Sequence, residues 1–274
     1  MGEVVCVAGF RYSDLHMGIP DWIRLFPFHV RDLPRDLRVH KWDIVKLQAR
    51  RSTNDKRPES LTPHMHSIQV VGHMETERNW QERRRFVDPH RGRTMRDLLA
   101  SHEQLDTSLA VVEPGEILDV EVTRRSEKDL QAARRKAEAE VAQGDLFSLE
   151  DRQPLEPTPF DFHLVFRCTD DTEPRRLKII DWEIGQAFRK YRASYPNPEQ
   201  IVRERWLNDV CGPRRDPALF VGNQKRFPVS GSCWGSSGRN SGEGSPKRLR
   251  TQCYKASEGS AGYSSCACSM MQRR

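Results

Sequence analysis

Two carboxylates stand close together in the segment Asp181–Arg192, which reads DWEIGQAFRKYR. Asp181 follows an apolar run typical of a strand, and Glu183 comes two residues later. Carboxylates at the end of a strand can bind Mg²⁺ or Mn²⁺ for phosphodiester chemistry. A nuclease of the Asp…Glu-x-Lys type has a lysine two residues after the glutamate, where this chain has Gly185. Asp181 is also a good helix N-cap, and the local pattern favours capping over catalysis.

The histidines His64 and His66 are the second candidate set, in the segment PHMHSIQVVGH. If this segment is a strand, side chains two residues apart share one face, so the pair could bind a metal ion. Local spacing provides no third ligand, which favours exposed or hydrogen-bonded histidines over a metal site. The sequence therefore predicts no cofactor, and Mg²⁺ or Mn²⁺ enters only with the phosphodiesterase alternative.

Basic and aromatic residues interleave in the segment NWQERRRFVDPHRGR, at residues 79–93. Arginines beside rings suit phosphate contact combined with base stacking, so the segment is a candidate nucleic-acid interface. Its candidate residues are Trp80, Arg83, Arg84 and Arg85. Acidic neighbours dilute the charge, and a helix with intramolecular ion pairs explains the same pattern equally well.

A second basic segment, RSTNDKRPES over Arg51–Ser60, reads as a polar loop that contains a proline. Loops with several charged groups often carry binding sites. Arg51, Lys56 and Arg57 are therefore candidates for contact with DNA, although solvation of a surface loop explains them as well.

The pentapeptide QGDLF resembles the bacterial sliding-clamp-binding peptide, whose pattern is Gln, an aliphatic residue, Ser or Asp, Leu and Phe. The matching residues are Gln143, Asp145, Leu146 and Phe147. Gly144 departs from the pattern. In such a motif the apolar pair fills a pocket while Gln bonds at its rim. The alternative is that this pair packs on its own domain where a helix ends. The motif makes the sliding clamp a predicted partner, together with DNA.

Net charge divides the chain at Pro228. Residues 1–228 carry 38 Lys and Arg against 37 Asp and Glu, while residues 229–274 carry seven against two. The pI near 9.0 therefore comes from the tail and gives no reason to class the rest as a nucleic-acid binder. The tail holds eleven Ser, seven Gly and four of the seven Cys, which predicts disorder. Its abrupt onset also fits a translated frameshift.

Strand-like and helix-like runs alternate irregularly before the tail, which predicts an α+β fold of mainly antiparallel sheet with flanking helices. One strand is expected over Trp42–Arg50. The clearest helix begins after Ser126, a capping residue with Asp129 at the capping-box position. The predicted organisation is an N-terminal α+β lobe, a proline-rich joint, a C-terminal α+β lobe and a disordered tail, at residues 1–144, 145–159, 160–228 and 229–274.

The chain shows no signal-peptide-like start and no run of about 20 apolar residues that would span a membrane. Its mean hydropathy is −0.76. Cys6, Cys168 and Cys211 are too widely spaced for a disulfide framework. The expectation is a soluble, cytoplasmic protein without a membrane partner.

Five short segments together resemble an uncharacterised family of bacterial and archaeal proteins. They are WIRLFP at 22–27, KRPES at 56–60, WxxRR at 80–84, DWEIGQ at 181–186 and FVGN at 220–223. The resemblance covers about residues 3–228. Members of that family begin with an additional strand and end with another strand shortly after FVGN. This chain is therefore expected to be trimmed at its N-terminus and frameshifted after about residue 229. The resemblance implies a shared fold and no established activity.

Three functions follow from these observations. The first is a DNA-associated accessory factor recruited to the sliding clamp. The second is a metal-dependent phosphodiesterase or nuclease, and the third is a non-catalytic structural or interaction protein. Convergence of the two histidines with Asp181 and Glu183 would separate the second function from the others.

Overall fold

The computed structural model describes residues 4–12, 19–29, 33, 39–105, 108–142, 153–212, 215–222 and 252–253. The strands in these ranges are β1 (Val4–Phe10), β2 (Trp22–His29), β3 (Asp43–Lys46), β4 (Ala49–Arg51), β5 (Ser60–Pro63), β6 (Gln69–His73), β7 (Leu109–Val112), β8 (Glu116–Arg124), β9 (Phe160–Arg167), β10 (Arg175–Ile179), β11 (Leu219–Gly222) and β12 (Gln252–Cys253). The α-helices are α1 (Glu77–Val87), α2 (Met95–Leu105), α3 (Glu127–Ala142), α4 (Trp182–Tyr191) and α5 (Pro198–Arg205).

The first six strands form two small sheets. One has the order β1-β2-β5-β4, in which β2 and β5 are parallel and the other pairs are antiparallel. The other is an antiparallel ribbon of β3 and β6. Leu25 and Phe28 of β2 are buried together with Ile68, which lies just before β6. These apolar side chains hold the small sheets together.

The remaining strands form one large sheet in the order β7-β11-β12-β10-β9-β8. Its pairs are antiparallel except for β10 with β12. β8 and β9 pair directly, although the predicted joint at residues 145–159 lies between them in the chain. Residues of both predicted lobes thus share this sheet, and the division at the joint stays a prediction.

Alternation along β9 explains how the large sheet builds its core. Phe162, Leu164 and Phe166 are buried on one face, while His163 lies on the opposite face. Side chains two residues apart in a strand point to the same side of the sheet. Residues of α2, α4 and α5 join this apolar face, among them Leu98, Phe188 and Val202.

The opposite face of the large sheet contacts the N-terminal strands at β7 and β11. The Phe220 ring of β11 lies 5.9 Å from that of Trp22 and 6.4 Å from that of Trp42, between ring centroids. Val87, at the end of α1, belongs to the same apolar cluster. Helix α1 is therefore anchored where the small sheets meet the large one.

The predicted α+β fold with mainly antiparallel sheet is confirmed. None of the helices in the described ranges is long and apolar enough to cross a lipid bilayer. The predicted tail at residues 229–274 lies outside the described residues, apart from Gln252–Cys253. That two-residue strand pairs with β10 and β11.

Candidate nucleic-acid interface

Helix α1 has a buried face and an exposed basic face. Phe86 and Val87 are only 1% and 0% exposed. Arg78, Gln81 and Arg85 are exposed and follow one another at intervals of three and four residues. All three side chains line one groove on this side of the helix. Packing of the apolar pair therefore turns the two arginines toward solvent.

An open groove with a volume of about 390 Å³ lies on this basic face. Its lining consists of Arg78, Gln81, Arg84, Arg85, Asp88 and Pro89. Among the described residues, none with an aromatic ring lines the groove. A guanidinium is permanently charged and has several N–H donors, which suits it to phosphate oxygens. The side chains that line the groove are thus chemically suited to an anionic ligand.

The three arginines of the groove differ in their partners. Arg84 pairs with Asp88 one turn along the helix, with Nε 2.9 Å from Oδ2. An ion pair of this kind contributes only about 0.3–0.5 kcal/mol, so a phosphate can compete for Arg84. Within the described part of the chain, Arg78 and Arg85 have neither an ion-pair nor a hydrogen-bond partner. Within that part of the chain their charges are not compensated.

The Arg83 side chain points away from the groove and makes its contacts inside the protein. Its Nε donates to the Met74 carbonyl oxygen at 2.7 Å, and its side chain is buried. The guanidinium carbon lies 5.1 Å from the ring centre of Trp42 and 4.8 Å from that of Trp80. Burial lowers the pKa of Arg83, against the charges of nearby acids. In this position Arg83 makes its contacts inside the protein and covers a face of Trp80.

His73 and Asp43 extend the contacts of Arg83. An Arg83 Nη lies 3.3 Å from Nε2 of His73, while Nδ1 of the same ring lies 2.7 Å from Oδ1 of Asp43. Because a guanidinium has only donors, Nε2 of the imidazole accepts and Nδ1 carries the proton to Asp43. The histidine therefore orients the buried arginine.

Three residues around this stack have a left-handed backbone: Trp42 with φ 70°, Arg78 with φ 49° and Trp80 with φ 62°. Such angles are unfavourable for bulky residues and persist only where the surroundings enforce them. The Arg83 guanidinium lies over the rings of both tryptophans that have such angles. The same turn of the helix places Arg78 at the groove.

The loop Arg51–Ser60 contains the other predicted DNA contacts. Arg57 is half-buried and donates Nε to both carboxylate oxygens of Asp55, at 2.9 and 3.0 Å. Although burial alone would raise the pKa of Asp55, the hydrogen bonds and charge of Arg57 hold it below its ordinary value. Arg51 donates to the Pro58 carbonyl oxygen. Arg51 and Lys56 are exposed. The charge of Arg57 is therefore compensated within the loop by Asp55.

A buried polar network centred on Arg24 was not anticipated from the sequence. This residue of β2 is 0% exposed, and its Nη2 lies 2.6 Å from Ser108 Oγ and 3.4 Å from Glu59 Oε1. The Ser108 hydroxyl also donates to Glu59. Burial raises the pKa of the adjacent Cys6 thiol, against the opposing charge of Arg24. Alternation within WIRLFP gives no sign that an arginine is buried there.

Asp181 caps α4, which confirms the capping role favoured by the sequence. Its Oδ1 accepts from the Glu183 N–H at 2.9 Å, and the side chain is buried. Lys41 Nζ lies 3.0 Å from Glu183 Oε2. Burial raises the pKa of Asp181 to about 7; the charge of Lys41 opposes this rise, and that of Glu183 adds to it. Lys41 is far away in sequence, so local spacing could not reveal it.

The predicted metal ligands do not come together. His64 and His66 are exposed, at and within a 3-10 turn over Met65–Ser67 instead of a strand. In the described residues, neither they nor Asp181 and Glu183 belong to a group of three metal-ligating side chains.

The one such group among the described residues is Cys168, Asp170 and Asp171. Asp171 is paired with Arg175, and Asp170 accepts from Thr94 Oγ1 at 3.0 Å. Both Asp171 oxygens and one Asp170 oxygen are thus used within the protein.

The predicted clamp-binding residues Gln143, Asp145, Leu146 and Phe147 lie outside the described residues. Recruitment to the sliding clamp therefore stays a prediction.

Two family models match the chain. One, "Domain of unknown function (DUF8758)", matches residues 1–89, and the other, "Domain of unknown function (DUF8757)", matches residues 91–249. The second covers more than half of the chain, so the protein belongs to the DUF8757 family. The expected membership of an uncharacterised family is confirmed, and the match extends to residue 249, past the Pro228 at which the resemblance was expected to end. No curated protein and no solved structure matches the chain.

Proposed function

We propose that this member of the DUF8757 family is a DNA-associated accessory protein that binds the phosphate backbone through the exposed face of α1. The observation that carries the proposal is the groove beside Arg78 and Arg85, whose charges have no counter-ion among the described residues. Arginine side chains with uncompensated charge bind phosphate and release its counter-ions, which is the main source of sequence-independent affinity.

The number of arginines at the groove favours a polyanion over a single small anion. Three of the six lining residues are arginines, and of these only Arg84 has a counter-ion among the described residues. A nucleic-acid backbone offers a row of phosphates to such a cluster, whereas a small anion offers one.

The phosphodiesterase alternative has less support. Lys41 does bring an ammonium group to Glu183, as a catalytic Asp–Glu–Lys set would require. Yet the Asp181 carboxylate is buried and already accepts the backbone N–H of Glu183. An ion pair and a helix cap account for all three side chains.

The test is DNA binding by the full chain, measured as fluorescence anisotropy of a labelled 24-base-pair duplex at low salt. The test variant is Arg78→Gln/Arg84→Gln/Arg85→Gln. Its matched control is Lys128→Gln/Arg135→Gln/Arg192→Gln, which removes the same charge from other exposed positions. The basic tail is common to both proteins, so it cannot create a difference between them.

We expect the groove variant to bind at least about tenfold more weakly than the wild type, and the control to change less than about twofold. Equal losses in both variants would mean that net charge alone attracts DNA. No binding by the wild-type protein would overturn the proposal outright.

A further inference from the structure

We infer that the ligand of the α1 groove is double-stranded nucleic acid and not a single strand, an inference that rests on the proposed function. Both forms carry phosphates, so the distinction must come from the other groups near the arginines. Three features of α1 bear on it: its aromatic residues, its rigidity and the position of its acidic end.

The aromatic residues of α1 are already in use. Phe86 is 1% exposed, and its ring is stacked at 5.4 Å from that of Tyr12. Trp80 carries the Arg83 guanidinium over its ring. Proteins that hold single strands stack successive bases on accessible rings, which supplies much of their affinity. The groove lining contains no ring for this purpose among the described residues.

Helix α1 is held firmly in place, which suits a ligand whose phosphates are also fixed. Val87 is 0% exposed, and Arg83 ties the helix to the Met74 carbonyl oxygen at 2.7 Å. A duplex has a persistence length of about 50 nm and presents phosphates at regular positions. A single strand must lose more conformational freedom to match the same arginines, and it gains no stacking in return.

Asp88 marks one end of the groove. Its carboxylate repels phosphate once Arg84 turns away from it, so the binding track runs from Arg84 toward Arg78. This track is short, and we expect about three phosphate contacts. We also expect little dependence on base sequence, because arginines that touch only phosphates do not read base edges.

The experiment compares the labelled 24-base-pair duplex with its isolated top strand across 25–200 mM salt, using the full chain and the three variants defined here. They are the groove variant, the matched control Lys128→Gln/Arg135→Gln/Arg192→Gln and a third variant, Arg78→Lys/Arg84→Lys/Arg85→Lys. For duplex DNA, each phosphate contact contributes about −0.9 to the slope of log K against log salt concentration.

We expect the groove variant to reduce the magnitude of the duplex slope by about 2–3 and to leave the single-strand slope within about 0.5 of the wild type. The lysine variant should keep most of the duplex slope, since lysine also neutralises a phosphate. Circular dichroism and thermal melting check that all variants fold.

Two outcomes separate this inference from the function on which it rests. If the groove variant loses equal affinity for both ligands, the groove binds nucleic acid without preferring duplex, and the inference alone is wrong. If neither ligand responds to the groove variant, the α1 face is not an interface and both statements are wrong.

Discussion

The exposed face of α1 and the buried network around Arg24 use the same side-chain chemistry in opposite ways. Arg24 meets oxygens of Ser108 and Glu59 within 3.4 Å, at zero exposure. Arg78 and Arg85 are exposed and meet no such oxygen in the described residues. The comparison teaches that arginine content does not define a binding face. What defines it is whether the fold has already compensated each charge.

The largest expected effect comes from removing the central cation of the buried network. Arg24→Met should lower the free energy of unfolding by about 3–5 kcal/mol, because the largely buried Glu59 carboxylate would lose its only cationic partner in the network. Urea denaturation measures this loss. Arg78→Met is the matched control and should change stability by less than about 0.5 kcal/mol. A loss below about 1 kcal/mol for Arg24→Met would show that the two regions differ less than their contacts indicate.

Asp181 extends the comparison from buried arginines to a buried carboxyl group, through the pH dependence of stability. Its pKa is about 7 in the folded protein against an ordinary value of 3.8. The folded state therefore holds a proton that the unfolded chain releases, and the stabilising contribution present below pH 3.8 is lost as pH rises to about 7. The slope should reach at most about 1.4 kcal/mol per pH unit.

Asp181→Asn should flatten this pH dependence, since the amide oxygen still accepts from the Glu183 N–H and does not titrate. Urea denaturation at several values between pH 4 and 8 provides the measurement. The prediction fails if the wild type and the variant show the same slope.

Arg83 and Arg85 allow the same comparison, of a buried with an exposed arginine, within helix α1. Arg83→Met should cost about 1–3 kcal/mol, because the buried Met74 carbonyl oxygen would lose its donor. Arg85→Met should stay within about 0.5 kcal/mol, since its side chain is exposed. The same two variants should rank in the reverse order for DNA affinity. Similar stabilities for the two variants would contradict the inward role of Arg83.

The smallest effect is expected for Lys41. Its ion pair with Glu183 is partly exposed, so Lys41→Met should lower stability by no more than about 1 kcal/mol. Removal of the ammonium charge should also raise the pKa of Asp181 further, since Lys41 opposes the effect of burial. The fall in stability should then shift to higher pH. An unshifted profile would mean that Lys41 does not act on Asp181.

Local sequence patterns correctly predicted the helices and strands that neighbouring residues specify. The start of α3 follows the capping box, in which the Asp129 N–H donates to Ser126 Oγ at 3.1 Å. The strand β9 follows from alternation of apolar residues that only Val165 interrupts, and α4 begins at its capping aspartate Asp181. Each of these signals lies within a few residues of the element that it specifies.

Elements defined by distant partners were less well predicted. The single strand expected over Trp42–Arg50 is divided into β3 and β4, because β3 pairs with β6 and β4 pairs with β5. The short strand β5 was missed in a polar, proline-containing segment whose pairing with β2 and β4 sets its conformation. The conditional strand at His64 and His66 is a 3-10 turn. Strand pairing links residues far apart in sequence, and propensity alone does not report it.

The sequence by itself determined an α+β fold, a basic helix near residue 80, the cap at Asp181 and the concentration of net charge in the tail. Only the tertiary structure decided which arginines of that helix are buried and which are exposed to solvent. Arg83 and Arg85 are two residues apart in one chemical context, yet Met74 and Trp42 surround the first while the second faces solvent. The physical reason is that compensation of a charge depends on distances of a few ångströms between groups that the chain separates widely. Such distances arise only when the sheets and helices pack.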